Sequence, residues 1–141
     1  MNVVRRSATG AVAAAAIVLA GPALAANAAS RPHHFETLTS IISAKVQACR
    51  VPTQASKPVT IKIRIDATKA SGKVNGIAQA SHDGTASGKQ WTSGWVREGH
   101  RSAVGTIHVP RGAGWALQAG LGTGAMGNGG DFTTASIRTC R

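Results

Sequence analysis

The residues best suited to acid–base chemistry lie together in the segment 97–101. Glu98, His100 and Arg101 are the residue types that a metal-independent ribonuclease uses as base, acid and phosphate clamp. His108 follows on the next predicted strand and could join them if the hairpin brings it round. Neighbouring side chains at a hairpin tip fan outward, however, and the opposite charges of a turn cancel in solvent. A solvated turn is therefore the favoured interpretation, and a small nuclease or other hydrolase using Glu98, His100 and Arg101 is the alternative.

Three tryptophans are the largest side chains of a chain that has only two Phe and no Tyr. Trp91 and Trp95 are four residues apart in a predicted strand, which places them on the same face about 13 Å apart. Trp115 belongs to another predicted strand. Exposed indoles would form a platform for sugar rings, whereas buried indoles would supply bulk to an aromatic-poor core. The core interpretation is favoured, and Ser93 and Gly94 indicate that at least one indole is partly exposed.

The chain is strongly basic, because 16 Lys and Arg against 5 Asp and Glu give a formal net charge of +11. Lys62 and Arg64 alternate with isoleucines in the segment 59–66, so both lie on the solvent-exposed face of that predicted strand. A basic stripe can hold phosphates, anionic polysaccharides or acidic cell-wall polymers. Without interleaved exposed aromatics it does not favour nucleic acid as the physiological partner. The alternative is a solubilising face that protects an edge strand.

Metal and nucleotide chemistry find little support in the sequence. The five acidic residues are scattered, so we predict no metal site and no cofactor. Residues 122–127 match G-x-G-x-x-G, but a dinucleotide loop stands between a strand and a helix, and only 14 residues follow this one. We interpret the glycine tract 120–130 as a flexible loop or a glycine-rich hairpin that could fold over a ligand.

The N-terminal segment has the features of a secretory signal peptide. Two arginines precede an apolar run at 10–20, and a Gly-Pro break and a small-x-small site follow. We predict cleavage after Ala25, with Ala28 as the alternative, then a flexible leader over 26–34 and one secreted domain over 35–141. Cleavage would leave a net charge of about +9 and no membrane span. In an oxidising compartment Cys49 and Cys140, the only two cysteines, should form a disulfide.

The elements that must position these residues are mainly β-strands. Apolar residues recur at three- and four-residue steps over 35–49, which predicts one N-terminal helix; a strand within 37–50 is the alternative. Beyond Pro52 the pattern predicts strands near 58–67, 74–81, 90–97, 102–109, 114–120 and 132–140. Turns are predicted at Ser71-Gly72, Asp83-Gly84, Glu98-Gly99 and Arg111-Gly112. The fold class is therefore a small antiparallel β-sandwich or barrel of about six strands with one helix.

These features favour a secreted, non-enzymatic binding protein, most simply a monomer. It would act at a cell surface or on an extracellular anionic or carbohydrate partner, and Lys62, Arg64, Trp91 and Trp95 are the predicted binding residues. One rival is an antimicrobial protein, toxin or enzyme inhibitor with the same scaffold. The other is the hydrolase described above.

Overall fold

A computed structural model of the chain describes residues 34–141, so the predicted signal peptide and all but the last residue of the predicted leader lie outside the described residues. Within the described range the protein is all-β and no helix is long and apolar enough to cross a membrane. The eight strands are β1 (Glu36–Ile41), β2 (Ala44–Val51), β3 (Val59–Asp66), β4 (Val74–His82), β5 (Thr85–Val96), β6 (Gly105–Val109), β7 (Trp115–Gly122) and β8 (Gly127–Phe132).

The strands form two antiparallel sheets of four strands each. The first sheet has the order β1-β2-β3-β6 and the second has the order β5-β4-β7-β8. The sheets pack face to face, so the predicted β-sandwich is confirmed, with eight strands in place of about six. Three predicted turns contain a glycine with positive φ, namely Gly84 (76°), Gly99 (78°) and Gly112 (128°). Glycine adopts this conformation without the steric cost that other residues meet.

The predicted N-terminal helix is wrong, and the all-β alternative is confirmed. Residues 36–51 form the β1–β2 hairpin, which turns at Ile42 and Ser43. Both turn residues have positive φ, 44° and 65°, as a tight two-residue hairpin turn requires. The three- and four-residue spacing of the apolar residues resembles a helical pattern because the hairpin turn changes which residues face inward. The β-branched side chains of this segment suit an extended chain.

The core lies between the two sheets and is built mainly from aliphatic side chains. Strand β3 is central in the first sheet, and its residues Val59, Ile61, Ile63 and Ile65 are buried, as their alternation predicts. Leu117 and Leu121 of β7 face them from the second sheet. Burying each such side chain contributes about 1.5–3 kcal/mol to folding.

The chain after β8 returns to the first sheet and does not form the strand predicted over 132–140. Its backbone instead pairs with Arg50 alone: Arg50 N donates to Arg138 O at 2.8 Å, and Cys140 N donates to Arg50 O at 2.8 Å. The predicted Cys49–Cys140 disulfide is confirmed beside this pairing. The last strand, β8, lies earlier, in the glycine tract, which is therefore the glycine-rich hairpin of the two predicted alternatives.

Candidate functional site: a glycine-floored groove

The two tryptophans of β5 lie on opposite faces of the second sheet, contrary to the prediction that they share one. Trp91 pairs with the buried Ala78, whereas Trp95 pairs with Asn75. Between these pairs β5 has one residue more than β4, a bulge that contains Gly94 with a φ of 63°. A single extra residue reverses the alternation of side chains along a strand. The bulge therefore turns one indole inward and the other outward.

Trp91 is part of the sandwich interior. It is half-buried and packs against the core, and a methyl group added to the buried Gly105 of β6 would overlap its indole. Trp115 also packs against the core, with its ring centroid 4.8 Å from that of His82. Both indoles line a cleft of about 470 Å³ between the edges of β5 and β6. Two of the three tryptophans thus serve the core, as the favoured interpretation expects.

Trp95 lies over the outer face of the second sheet and is 53 % exposed. It borders a hollow of about 670 Å³ that extends over β4, β7 and β8 and that we call the glycine groove. The groove is lined by Asn75, Ile77, Trp95, Gln118 and the backbone of the glycine tract. A large exposed indole beside bare backbone gives a ligand both an apolar surface and accessible peptide groups.

Part of the floor of the groove carries no side chains, because two successive outward-facing pairs of β7 and β8 are glycines. Gly120 pairs with Gly129, and Gly122 pairs with Gly127. A methyl group at Gly129 would lie 2.8 Å from the Cα atom of Gly120, so glycine is required for the close approach of the two strands. The row of paired residues Trp95, Asn75, Gly122 and Gly127 crosses all four strands. Three strand spacings make this row about 14 Å long.

Amide side chains supply the polar groups of this face. Gln79 Nε2 donates to Gln118 Oε1 at 2.8 Å, and Thr92 Oγ1 donates to Asn75 Oδ1 at 3.1 Å. Each amide carries two donor hydrogens and one acceptor oxygen, so these bonds leave donors and acceptors of each pair available. Such groups suit hydroxyl groups, which also both donate and accept.

Positive charge is concentrated at the Trp95 end of the groove. Lys73 Nζ lies 5.0 Å from the centroid of the Trp95 ring. On its other side Trp95 borders a hollow of about 340 Å³ that Arg97, His100 and Arg101 also line. An aromatic surface flanked by cations can bind a ring that carries a negative group.

The predicted basic stripe lies on the outer face of the first sheet, on the opposite side of the sandwich. Lys62 Nζ donates to Thr106 Oγ1 at 2.8 Å, and Arg64 Nε donates to Gln47 Oε1 at 2.9 Å. The Arg64 guanidinium also lies over the Phe35 ring, 4.2 Å from its centroid. Burial, and then the nearby Arg101, hold the pKa of Arg64 below its usual value. These cations are engaged by neighbouring side chains.

The predicted catalytic alternative is only partly assembled. His100 Nδ1 donates to the backbone carbonyl of Glu98 at 2.9 Å, not to its carboxylate. Arg101 Nε instead donates to Asp66 Oδ2 at 3.0 Å. Burial alone would raise the pKa of Asp66, but hydrogen bonds from Thr68 and the Arg101 guanidinium lower it to about 2. Asp66 therefore anchors the 97–101 turn to the end of β3.

The structure thus places the predicted binding residues at three locations. Lys62 and Arg64 are on the first sheet, Trp91 is in the interior, and Trp95 is on the second sheet. Sequence reasoning missed the groove residues of β7 and β8, because glycine has no side chain to suggest chemistry. Glycines at alternate positions of a strand were the available signal, since they leave one face of a sheet bare. Residues 34–141 contain no group of three or more His, Cys, Asp or Glu that could hold a metal ion.

Comparisons of the chain with protein-family models, with curated proteins and with solved structures found no match.

Proposed function

We propose that this protein is an exported, non-enzymatic binding protein whose glycine groove holds a carbohydrate chain bearing acidic groups. The observation that carries the proposal is the exposed Trp95 indole beside a groove whose floor on β7 and β8 is largely glycine backbone. Trp95 and the exposed Ile77 border the same hollow, and exposed apolar residues grouped in a groove mark a ligand or partner site. Sugar rings present flat C–H faces that suit such a surface.

The dimensions and polarity of the groove support a polymer over a single small molecule. The row of outward-facing residues is about 14 Å long and runs to both edges of the sheet. The amides of Asn75 and Gln118 lie along it and can hydrogen-bond with hydroxyl groups. A chain that enters at one edge and leaves at the other would use the whole floor.

The positive end of the groove supports an acidic ligand. Lys73 and Arg97 both lie next to Trp95, and Lys73 contacts the indole itself. The whole chain also carries a large excess of positive charge, which attracts polyanions over about 8 Å at physiological salt. A uronic acid or phosphate substituent on the sugar would meet these cations.

The proposed location is extracellular. The Cys49–Cys140 disulfide is compatible with an oxidising compartment. Together with the signal-peptide pattern over residues 1–25 it supports secretion. The intact mass of the secreted protein tests this proposal: a chain beginning at Ala26 or Ala29 is expected, and a chain that retains Met1 would contradict it.

A pull-down experiment tests the proposed binding. The secreted protein is incubated with chitin, cellulose and purified cell wall at low and high salt, with alginate as a soluble acidic competitor. The Trp95→Ala variant should bind at least about tenfold more weakly, because buried tryptophans at interfaces contribute about 2 kcal/mol or more. Val104→Ala is the matched control, since Val104 is also exposed, at 48 %, and lies outside the groove.

Two outcomes, one of the pull-down and one of a separate RNA-cleavage assay, would replace the proposal. If Trp95→Ala binds like the wild type while Lys62→Gln with Arg64→Gln does not, the partner is a polyanion held by the first sheet. If the protein cleaves RNA in the presence of EDTA, and Glu98→Ala with His100→Ala abolishes that activity at unchanged stability, the alternative interpretation as a hydrolase is correct.

A further inference from the structure

A second cavity, remote from the glycine groove, is lined by arginine side chains. It has a volume of about 490 Å³ and lies where the C-terminal segment meets β2. Its charged lining residues are Arg50, Arg138 and Arg141, and His34 adds an imidazole. It shares no residue with the groove. The proposed function does not use these residues.

The backbone that lines this cavity is held by hydrogen bonds and by the disulfide. Arg50 forms two backbone hydrogen bonds with the C-terminal segment, both 2.8 Å long. The disulfide joins the residue before Arg50 to Cys140. Ile137, in the same segment, is fully buried in the core. Arg50 and Arg138 therefore lie on strand β2 and on a C-terminal segment that a disulfide and two backbone hydrogen bonds hold to it, a scaffold that reduces the entropy lost when a ligand binds.

The charges of the cavity are not balanced by acidic side chains. Glu36 is the neighbouring carboxylate, and it is occupied by Arg138: Oε1 accepts a hydrogen bond from Arg138 N, and Oε2 lies 3.6 Å from Arg138 Nε. Within residues 34–141, neither Arg50 nor Arg141 forms an ion pair with an Asp or Glu side chain. Arg50 is nevertheless half-buried. Removing a cation from water is unfavourable unless an anion accompanies it.

We propose that this cavity binds a multiply charged oxyanion, a phosphate or sulfate group, with Arg50 and Arg141 as its principal ligands. Guanidinium groups match the oxygen spacing of such anions and donate two parallel hydrogen bonds to them. Bound between Arg50 and Arg141, the anion would pair with two guanidinium groups that form no ion pair with an acidic side chain of residues 34–141. The group can be a free inorganic ion or a substituent of an extracellular polymer, since both present the same oxygens.

An NMR titration at constant ionic strength tests this site. Phosphate or sulfate replaces chloride in steps while the Arg50 and Thr139 amides and the arginine Nε–H signals are followed. Saturable shifts confined to this cavity are expected. Arg50→Gln should weaken the affinity by about tenfold, because it removes a bidentate charge-assisted contact. Lys69→Gln is the control, since it removes one equal charge from an exposed turn on another part of the surface.

The variants also distinguish a specific oxyanion site from non-specific electrostatic attraction. Arg50→Lys keeps the charge but removes the guanidinium group that donates two parallel hydrogen bonds. This variant should therefore retain only part of the wild-type affinity for the anion. Polyphosphate and a sulfated polysaccharide distinguish the source of the group: saturation by the inorganic ions assigns a free oxyanion, and saturation only by the polymers assigns a polymer substituent. The proposed site would be contradicted by an equal loss of affinity in Arg50→Gln and Lys69→Gln. It would also be contradicted if none of the four probes gave a saturable shift. Trp95→Ala should leave this titration unchanged, so the outcome is independent of the groove.

Discussion

Protonation of Asp66 should be a measurable part of the acid sensitivity of this protein. Its carboxylate accepts hydrogen bonds from the backbone N–H and hydroxyl of Thr68 and from Arg101 Nε. These contacts, together with the Arg101 charge, outweigh burial and lower its pKa from 3.8 to about 2. Because the folded-state pKa is depressed, the carboxylate stabilises the fold above pH 3.8 and loses that contribution as the pH falls through 2.

The magnitude follows from the two pKa values. At about 1.36 kcal/mol per pH unit, the difference between 3.8 and about 2 corresponds to about 2.4 kcal/mol of stability at pH 7. At pH 2 about 0.4 kcal/mol of this would remain. Asp66→Asn keeps the shape of the side chain but not its charge. The stability gap between wild type and Asp66→Asn should therefore shrink by about 2 kcal/mol between pH 7 and pH 2.

Urea denaturation at several pH values measures this gap. Asp83→Asn is the matched control, because it removes a carboxylate that is 75 % exposed and should change the free energy of unfolding by less than about 0.5 kcal/mol. A gap between wild type and Asp66→Asn that stays constant from pH 7 to pH 2 would contradict a lowered pKa of Asp66 in the folded protein.

Three further perturbations address the scaffold and the turn. Replacing both bridged cysteines by serine should lower the unfolding free energy in urea by up to about 4.5 kcal/mol, because the disulfide spans 91 positions; an unchanged midpoint would contradict this. Gly105→Ala should cost about 1–3 kcal/mol and alter tryptophan fluorescence, because the added methyl group displaces the Trp91 indole; unchanged fluorescence and stability would contradict that packing. Glu98→Ala should leave polysaccharide binding in the pull-down within about twofold, because its side chain is solvent-exposed in a turn and lines neither hollow beside Trp95, and a larger loss would contradict that placement.

The parts of the fold that follow local rules could be predicted from the sequence. The strict alternation of β3 identifies a half-buried strand, and the Asp83-Gly84 pair identifies a tight turn. The N-terminal hairpin could not be recognised in the same way. Its turn contains Ile42 at a positive φ, a conformation that β-branched residues rarely adopt, so no local signal marks it.

The candidate site was less accessible to sequence reasoning, because it depends on non-local features. One bulged residue at Gly94 separates Trp91 from Trp95, and a strict two-residue period places them together. The groove floor depends on the pairing of Gly120 with Gly129 across two strands. The positions of Lys62 and Trp95 on opposite sheets depend on the order of the strands. Each of these is a property of pairing, which residue types alone do not determine.

The most direct test of the glycine groove is an NMR map of the bound polymer. Backbone amides and tryptophan Nε1–H signals are assigned, and a soluble oligomer of the captured polysaccharide is added. We expect the largest shifts on the Trp95 indole and on the amides of Gly120, Gly122 and Gly127. Shifts centred on Lys62 and the outer face of the first sheet, with the Trp95 indole unmoved, would contradict this expectation.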